Sequence, residues 1–493
     1  MNENSQDEAG AANTPGEDID VDVAILGAGT GGMAAYREAR KHTDRIALLD
    51  GGTLGTTCAR VGCMPSKLLI AAAEARHRAE DIDGFGLRGG PVEVDGAAVM
   101  RRVREERDRF VGFVLEAVED FRKSHLIRSH ARFESDSTLR LDDGRRVRAR
   151  AVVIATGSRP NVPSPFEAAG DRLIVNDDVF DWQDLPGSVA VLGTGVIGLE
   201  LGQALHRLGV RTRLLGRGGS VGPISDPLVL AKAREIFSSE LAVSWEAADV
   251  RIGRAGEEVT IAWDDPQGGG EERFDYLLAA TGRRANIDSL GLEHTSLVLD
   301  ERGAPCYDPL SMRCGDSAIF IAGDASADLP LLHEAADEGR LAGENAARFP
   351  EAYRRARRTG LGIAFSDPQI AMVGESHAEL RARGAAFETG EVDFGDQGRA
   401  RVMRVNRGLL HVYGERGTGR LLGAEMIGPA AEHLGHLLAW ALADRLTASE
   451  ALGRPFYHPV LEEGLRTALR TLNARLRFDA NPPARCIDCG PGG

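Results

Sequence analysis

The amino-acid sequence predicts an α/β protein of three or four domains: two dinucleotide-binding units on parallel sheets, and a smaller α+β unit at the C-terminal end. Its 493 residues are too many for one core. One pattern also occurs twice, a short apolar strand followed by a glycine-rich loop, a helix and a second strand. Between the two copies lies a closely spaced pair of cysteines.

The first copy opens with Val21–Leu26, an apolar run suited to a buried parallel strand. Gly27-Ala28-Gly29-Thr30-Gly31-Gly32 follows, then a helical stretch from Met33 to His42 and a strand, Ile46–Leu49, that ends at Asp50. This is the order of a Rossmann-like domain. Gly27 permits the tight turn, Gly29 lets the backbone approach a pyrophosphate, and Gly32 lets helix and strand pack closely. The helix N-terminus offers N–H groups and partial positive charge to phosphates. Asp50 is placed to bind a ribose hydroxyl.

The second copy runs from Val189–Leu192 through Gly193-Thr194-Gly195-Val196-Ile197-Gly198, a helix to about Leu208 and a strand over Thr212–Leu215. Gly193, Gly195 and Gly198 repeat the three glycine roles. Here Gly216-Arg217 stands where an acid would select NAD. Loss of the carboxylate beside an arginine favours the 2′-phosphate of NADP, although Arg217 also reads as a solvated surface charge in an arginine-rich chain. Two sites imply two dinucleotides, and FAD with NAD(P) is the simplest redox pair.

The cysteines belong to Gly55-Thr56-Thr57-Cys58-Ala59-Arg60-Val61-Gly62-Cys63-Met64-Pro65-Ser66-Lys67. A disulfide with this spacing closes a small ring, and each sulfur can have its own task, one toward a flavin and one toward a substrate. Alone, the spacing also suits two buried thiols or half a metal site; beside a nucleotide loop it points to redox chemistry. The other cysteines are Cys306, Cys314, Cys486 and Cys489. Six in so long a chain do not make a structural framework, so a disulfide here is expected to be catalytic.

A net charge of −15 argues against nucleic acid and anionic membranes as partners, since either would be repelled. Residues 1–20 are polar and acidic, with neither the basic start nor the apolar run of a secretory signal, and are expected to be a disordered tail. No later segment is apolar enough to span a bilayer. The expected location is cytoplasmic.

From about residue 20 to 472 the chain resembles the FAD-dependent pyridine nucleotide–disulfide oxidoreductases, among them dihydrolipoamide dehydrogenase, glutathione reductase, mercuric reductase and the large thioredoxin reductases. The G-C-x-P-S-K run at Gly62–Lys67 is its most specific mark. Ala155-Thr156-Gly157 and Ala280-Thr281-Gly282 resemble the family's two A-T-G segments, and Ile321-Ala322-Gly323-Asp324 its second flavin-binding segment. Phe365-Ser366-Asp367-Pro368 resembles the start of its interface domain. Tyr457-His458-Pro459-Val460-Leu461-Glu462-Glu463 resembles the segment supplying its acid–base pair.

The resemblance implies a homodimer that binds FAD and NAD(P), with Thr156, Gly157, Gly282 and Gly323 along the cofactors and Asp324 holding the ribityl chain. It implies that Cys63 faces the flavin as the charge-transfer thiolate, while Cys58 exchanges with the substrate's sulfur. It gives proton transfer to His458 of the partner subunit, oriented by Glu463; an imidazole suits that task because it ordinarily titrates near neutrality. It sets Lys67 against Glu200 beside the flavin. Val196 stands where glutathione reductases typically carry a tyrosine gate, which looks more like dihydrolipoamide dehydrogenase. The Thr-Thr-Cys-Ala-Arg-Val-Gly-Cys-Met form departs from that enzyme's usual cysteine segment.

The end of the chain fits less well. Arg477 to Gly493 closes with Cys486-Ile487-Asp488-Cys489, the spacing of a thioredoxin-like redox pair. Mercuric reductases and large thioredoxin reductases end in a cysteine pair that serves a bulky or metallic acceptor; ordinary dihydrolipoamide dehydrogenases do not. A redox relay, an inert tail and a metal-binding clip are the three readings. Cys306 and Cys314 are read as ordinary thiols.

The expected organisation is a tail over residues 1–20, an FAD-binding domain over 21–160, an NAD(P)-binding domain over 161–286, completion of the flavin domain over 287–355, a dimerisation domain over 356–475 and a tail over 476–493. A long helix is expected from Arg101 to Lys123. In the last domain strands are expected near Gly408–Gly414 and Leu421–Ile427, with helices near Ala431–Arg445 and Leu461–Leu472. The expected activity is dithiol–disulfide exchange coupled to NAD(P)(H), most like dihydrolipoamide dehydrogenase, on a small dithiol or disulfide or a lipoyl-carrying protein. The alternative is an NADPH-dependent reductase passing electrons through the C-terminal dithiol to a protein disulfide or a metal ion. From another class, the chain reads as a flavin-bearing redox sensor.

Overall fold

The computed structural model describes residues 17–266 and 268–476. It contains two compact bodies. One consists of the residues up to Pro65 with Glu105–Pro160 and Arg283–Arg357; the other consists of Ser66–Arg104, Asn161–Gly282 and the residues from Arg358 onward.

In the first body the strand Ile19–Leu26 lies between two parallel neighbours, Ile46–Leu49 and Arg146–Ile154, with Val23 opposite both Ile46 and Ala151. Ile319–Ile321 extends the parallel sheet beyond Arg146–Ile154. A hairpin, Ala131–Ser135 and Thr138–Leu141, pairs antiparallel with the start of Arg146–Ile154, and Leu126–Ile127 forms the opposite margin beside Ile46–Leu49. Val23, Ala24, Ile25 and Leu26 are all buried, as an uninterrupted apolar run in a sheet covered on both faces requires. The first strand starts at Ile19, so the acidic tail expected to reach Asp20 ends sooner. Ile19 is buried and pairs with Val147, and that apolar contact draws the last two tail residues into the sheet.

One face of this sheet carries the helices Thr30–Ala39 and Leu332–Arg348. Their backbones nearly touch: a Cβ on Gly339 would lie 2.2 Å from the Gly31 carbonyl oxygen, and one on Gly343 would lie 2.3 Å from that of Ala35. The long helix spans Gly96–Glu119 and so begins and ends earlier than expected. Asp95 accepts the Ala98 N–H at 2.8 Å and starts it ahead of Arg101.

The second body holds two larger sheets. The strand Ser188–Leu192 is flanked by Arg211–Leu215 and Tyr276–Ala279, with Val243–Ser244 and Leu173–Ile174 outermost, all parallel. A three-stranded antiparallel sheet, Ala248–Ala255, Glu258–Asp264 and Gly270–Phe274, packs Val259, Ile261 and Trp263 into the same core as Leu192 and Leu215. The C-terminal sheet is antiparallel, in the order Leu361–Ala364, Gln369–Gly374, Leu421–Gly428, Leu409–Glu415, Phe387–Asp393. Helices Ala431–Ala443 and Glu462–Leu476 cover it, burying Leu434, Leu438, Leu465 and Leu469 against Val412 and Met426.

Asp226 fixes the start of the helix Pro227–Ser238 inside this body. Its Oδ1 accepts the Leu228 and Val229 N–H groups, and its Oδ2 accepts from Tyr413 Oη at 3.0 Å and lies 2.8 Å from His411 Nδ1. Burial alone would raise this carboxyl, but the hydrogen bond and charge of His411, with the Val229 and Leu228 N–H groups, hold it down to about 2. A carboxyl that titrates lower folded than unfolded contributes stability above its ordinary value of 3.8, and that stability is lost as pH falls to about 2. Asp226→Asn should therefore lower the neutral-pH unfolding free energy by about 2 kcal/mol and flatten its fall at acid pH. Urea titrations at stepped pH check this; an Asn variant with the wild-type slope would refute it.

Candidate active site

The two glycine loops have matching geometry. Gly27 has φ +100°, and a Cβ there would lie 2.4 Å from the Ala155 carbonyl oxygen. A Cβ on Gly32 would lie 1.8 Å from the Gly27 oxygen, whereas nothing stands within 4 Å of one on Gly29. In the second loop Gly193 meets the Ala280 oxygen at 2.2 Å, Gly198 meets the Gly193 oxygen at 2.0 Å, and Gly195 again faces open space. Both following helices, Thr30–Ala39 and Val196–Arg207, begin on a glycine with no capping side chain. Their first N–H groups are therefore available to a phosphate.

Asp50 does more than end its strand. Its Oδ2 accepts the Ala28 N–H at 2.7 Å and its Oδ1 the Gly52 N–H at 2.8 Å, so the acid also braces the glycine loop. Around the A-T-G segment, Gly157 has φ +70° and open space beside it, and Thr156 Oγ1 is buried without a hydrogen-bond partner among the described residues. The Thr156 carbonyl accepts from Asn286 Nδ2 at 3.1 Å. Asp324 follows Gly323, which has φ +68°, and accepts the Ser158 hydroxyl at 2.6 Å. Arg283 Nε in turn donates to Ser158 Oγ at 2.8 Å. An open glycine, an unanswered buried hydroxyl and a braced acid fit a dinucleotide such as FAD.

Ser158 and Arg283 were not singled out in the sequence. Each directly follows one of the two A-T-G segments, and that shared position is the signal that could have found them.

The end of the second nucleotide strand, which lacks an acid, is crowded at Gly216. A Cβ on Gly216 would lie 2.8 Å from the Thr194 side chain and 3.1 Å from the Trp245 carbonyl oxygen. Arg217 is exposed and makes no ion pair among the described residues. Gly282, at φ +98°, has open space beside it.

Cys58 and Cys63 sit on successive helices, Thr57–Val61 and Cys63–Glu80. Thr56 Oγ1 accepts the Ala59 N–H and starts the first; Gly62 joins the two, with no room for a Cβ free of Thr57 and Cys58. Cys63 opens an 18-residue helix, so it stands at the positive end of the helix dipole. Cys58 is half-buried and Cys63 is exposed. Cys314 lies in the core, where burial pushes its thiol up to about 12, and Cys306 is exposed.

In the second body Lys67 Nζ lies 2.8 Å from Glu200 Oε2 and 4.7 Å from the centre of the Phe365 ring. The other Glu200 oxygen accepts the Phe365 N–H at 2.8 Å, so both oxygens of this buried carboxylate are used. His458 Nδ1 lies 2.9 Å and 3.1 Å from the two oxygens of Glu463. Glu463 is buried and also accepts the Val460 N–H, whereas the His458 side chain is 62% exposed. A buried carboxylate on Nδ1 fixes the imidazole's orientation and leaves Nε2 facing outward. Cys486 and Cys489 lie outside the described residues. Among the described residues no helix is long and apolar enough to cross a membrane.

Comparison with known proteins gives consistent matches. Residues 21–339 match the family profile described as pyridine nucleotide-disulphide oxidoreductase, and residues 362–469 match the dimerisation domain of that family. A mercuric reductase from Streptomyces lividans is 32% identical over 466 residues, 92% of this chain and 96% of that one. A dihydrolipoyl dehydrogenase from Thermus scotoductus is 30% identical over 461 residues, 92% of this chain and 97% of that one. The structure of the HOCl-induced flavoprotein disulfide reductase RclA from Escherichia coli superposes with a TM-score of 0.76 at 22% identity, covering 92% of this chain and 99% of that one.

Proposed function

Because the chain belongs to the pyridine nucleotide-disulphide oxidoreductase family, whose members are FAD-dependent and use NAD(P)H, we propose that it couples NADPH to dithiol–disulfide exchange at Cys58 and Cys63. The reading places it nearest to dihydrolipoamide dehydrogenase, acting as a homodimer on a small disulfide or a lipoyl-carrying protein. The pairing of exposed His458 with buried Glu463 is the observation that carries it, because exchange at sulfur needs a positioned proton carrier.

FAD, held by the first glycine loop with Thr156 and Asp324, supplies two-electron transfer between the nicotinamide and the sulfur pair. The Gly193–Gly198 loop binds the nucleotide pyrophosphate through the N-terminus of the helix Val196–Arg207. Arg217, an exposed cation with no ion pair among the described residues, takes the 2′-phosphate. Lys67 presents a positive charge whose burial is compensated by Glu200.

With the pair reduced, the Cys58 thiolate attacks one sulfur of the substrate disulfide. The substrate S–S bond breaks, a mixed disulfide forms, and the departing sulfur takes its proton from His458 of the partner subunit. Cys63 then attacks the Cys58 sulfur, which releases the second substrate thiol and restores the Cys58–Cys63 disulfide. Glu463 holds the imidazole in one orientation throughout. Oxidation of a dithiol substrate runs the same steps in reverse.

A second reading rests on the Cys486-x-x-Cys489 spacing: the C-terminal dithiol takes electrons from the Cys58–Cys63 pair and delivers them to a protein disulfide or a metal ion.

His458→Gln should lower kcat for lipoamide reduction by about 10²- to 10⁴-fold, with a smaller loss for Glu463→Gln. Wild-type turnover in His458→Gln would refute the assignment. Arg217→Ser should reduce kcat/KM for NADPH by about tenfold or more and leave NADH little changed, the effect of losing one charged hydrogen bond; equal losses with both nucleotides would count against a 2′-phosphate contact. Thiol counts on protein denatured after anaerobic reduction by NADPH should rise by about two if only Cys58 and Cys63 cycle, as one two-electron couple requires. A rise of about four, halved in Cys486→Ser/Cys489→Ser, would establish the relay.

A further inference from the structure

The turn that carries Gly323 and Asp324 is tied to a buried carboxylate outside the nucleotide loops. The Gly323 N–H donates to Glu338 Oε2 at 2.7 Å, and Glu338, on the helix Leu332–Arg348, is 4% exposed. Its Oε1 accepts from Arg357 Nη2. The same guanidinium donates to Glu334 Oε2 at 3.1 Å and to Asp328 Oδ2 at 2.7 Å. Asp328 also accepts from Tyr307 Oη at 3.3 Å.

Three carboxylates therefore share one guanidinium: Glu334 from the same helix turn, Asp328 just beyond the Gly323–Ser326 turn, and Glu338 itself. With all three ionised, the cluster carries more negative charge than Arg357 can offset, and Glu334 and Glu338 are both buried. Like charges held close in a poorly solvated space favour a proton on one of them. Glu338 is the member on which it falls. Burial pushes its carboxyl up to about 7; Arg357 and the Gly323 N–H oppose the rise, while Glu334 and Asp328 add to it. Two further titratable groups face the cluster. Burial pushes Tyr307 up to about 12, so it stays neutral. His333, with a 53% exposed side chain, has its Nε2 3.7 Å from Glu334 Oε1 and makes no ion pair or hydrogen bond with Glu338 or Gly323 among the described residues.

Glu338 has one role that Glu334 and Asp328 lack: it holds the main chain next to Asp324. Gly323 sits at φ +68°, a conformation that other residues rarely adopt. Its single N–H is satisfied by this carboxylate. Ser158 and Arg283 brace the Asp324 side chain, so the acid is fixed from two sides, through its carboxylate and through the backbone preceding it.

We propose that Glu338 is a positioning residue for FAD: it fixes the Gly323–Asp324 backbone, and the charge on the Glu338–Arg357 pair sets how firmly the protein retains the cofactor. Ionised, Glu338 gives the Gly323 N–H a charged acceptor and Arg357 a full counter-charge; hydrogen bonds to a charged group are roughly twice as strong as neutral ones. Protonated, it gives the same N–H a weaker acceptor and leaves Arg357 to Glu334 and Asp328. FAD is then held more tightly above neutrality than below it. This rests on the reading that Asp324 grips the ribityl chain.

The test measures the FAD dissociation constant of the full-length apoprotein by flavin fluorescence, in steps from about pH 5.5 to 8.5 spanning the neutral midpoint. Wild type should bind about fivefold more weakly at the acid end, with the change centred near neutrality, because a charged hydrogen bond is replaced by a neutral one. Glu338→Gln keeps an acceptor for Gly323 but cannot ionise, so it should bind FAD at the acid-limb strength at every pH. Glu338→Ala should bind more weakly than either throughout. A wild-type pH step in Glu338→Gln, or wild-type affinity in Glu338→Ala, overturns the proposal. Asp324→Ala separates the two layers: weaker binding with the pH step retained supports both, whereas unchanged affinity overturns the reading of Asp324 and the proposal with it.

Discussion

Each nucleotide loop depends on a contact that only glycine allows. At both sites a glycine turn is pressed against the alanine carbonyl of an A-T-G segment, Gly27 on Ala155 and Gly193 on Ala280, and a second glycine presses the helix onto that turn. Any Cβ at these four positions would sit under 2.5 Å from a carbonyl oxygen. The helices can therefore start beside their strands with bare N–H groups outward. Gly339 and Gly343 repeat the device one layer away, where the helix Leu332–Arg348 meets the first of them. The loop motif and the A-T-G motif, far apart in sequence, are two halves of one steric fit, which accounts for both motifs occurring twice.

A second regularity concerns charge. Three groups proposed to act on proton or flavin are each backed by a carboxylate: His458 by Glu463, Lys67 by Glu200, the Gly323 N–H by Glu338. In each case the carboxylate is buried and also accepts at least one further donor: the Val460 N–H, the Phe365 N–H and Arg357 respectively. Buried charges with their oxygens satisfied are costly to move, so the partner inherits a fixed position. Precise placement therefore comes from residues that never meet the substrate.

Much of this was legible in the sequence, and the reason differs by element. Buried parallel strands read as unbroken apolar runs, and both Val21–Leu26 and Val189–Leu192 lie in strands at the positions expected. Lys67 and Glu200 meet although 133 positions separate them, a pairing that the family resemblance supplied and no local pattern could. The antiparallel hairpin partners of the last sheet, Leu361–Ala364, Gln369–Gly374 and Phe387–Asp393, passed unnoticed because they are short and interrupted by glycine, proline and charge. Glu338 gave no signal at all. On an acidic, exposed-looking helix segment, nothing in Ala335-Ala336-Asp337-Glu338 tells that one of two adjacent acids points inward to a main-chain N–H.

The crowding at Gly216 bears on how such a chain can change its preference among nucleotides. A carboxylate installed there to grip a ribose diol would collide with Thr194, which is itself part of the second glycine loop and donates its hydroxyl to the Ser220 carbonyl at 2.7 Å. Charge and space are thus epistatic. Removing the cation at position 217 meets no such obstacle, but an acid beside it presses on Thr194, and shrinking Thr194 to make room also removes its hydrogen bond to Ser220. Position 216 is thus constrained by packing and position 217 by charge, and the two constraints act on neighbouring residues of one strand end.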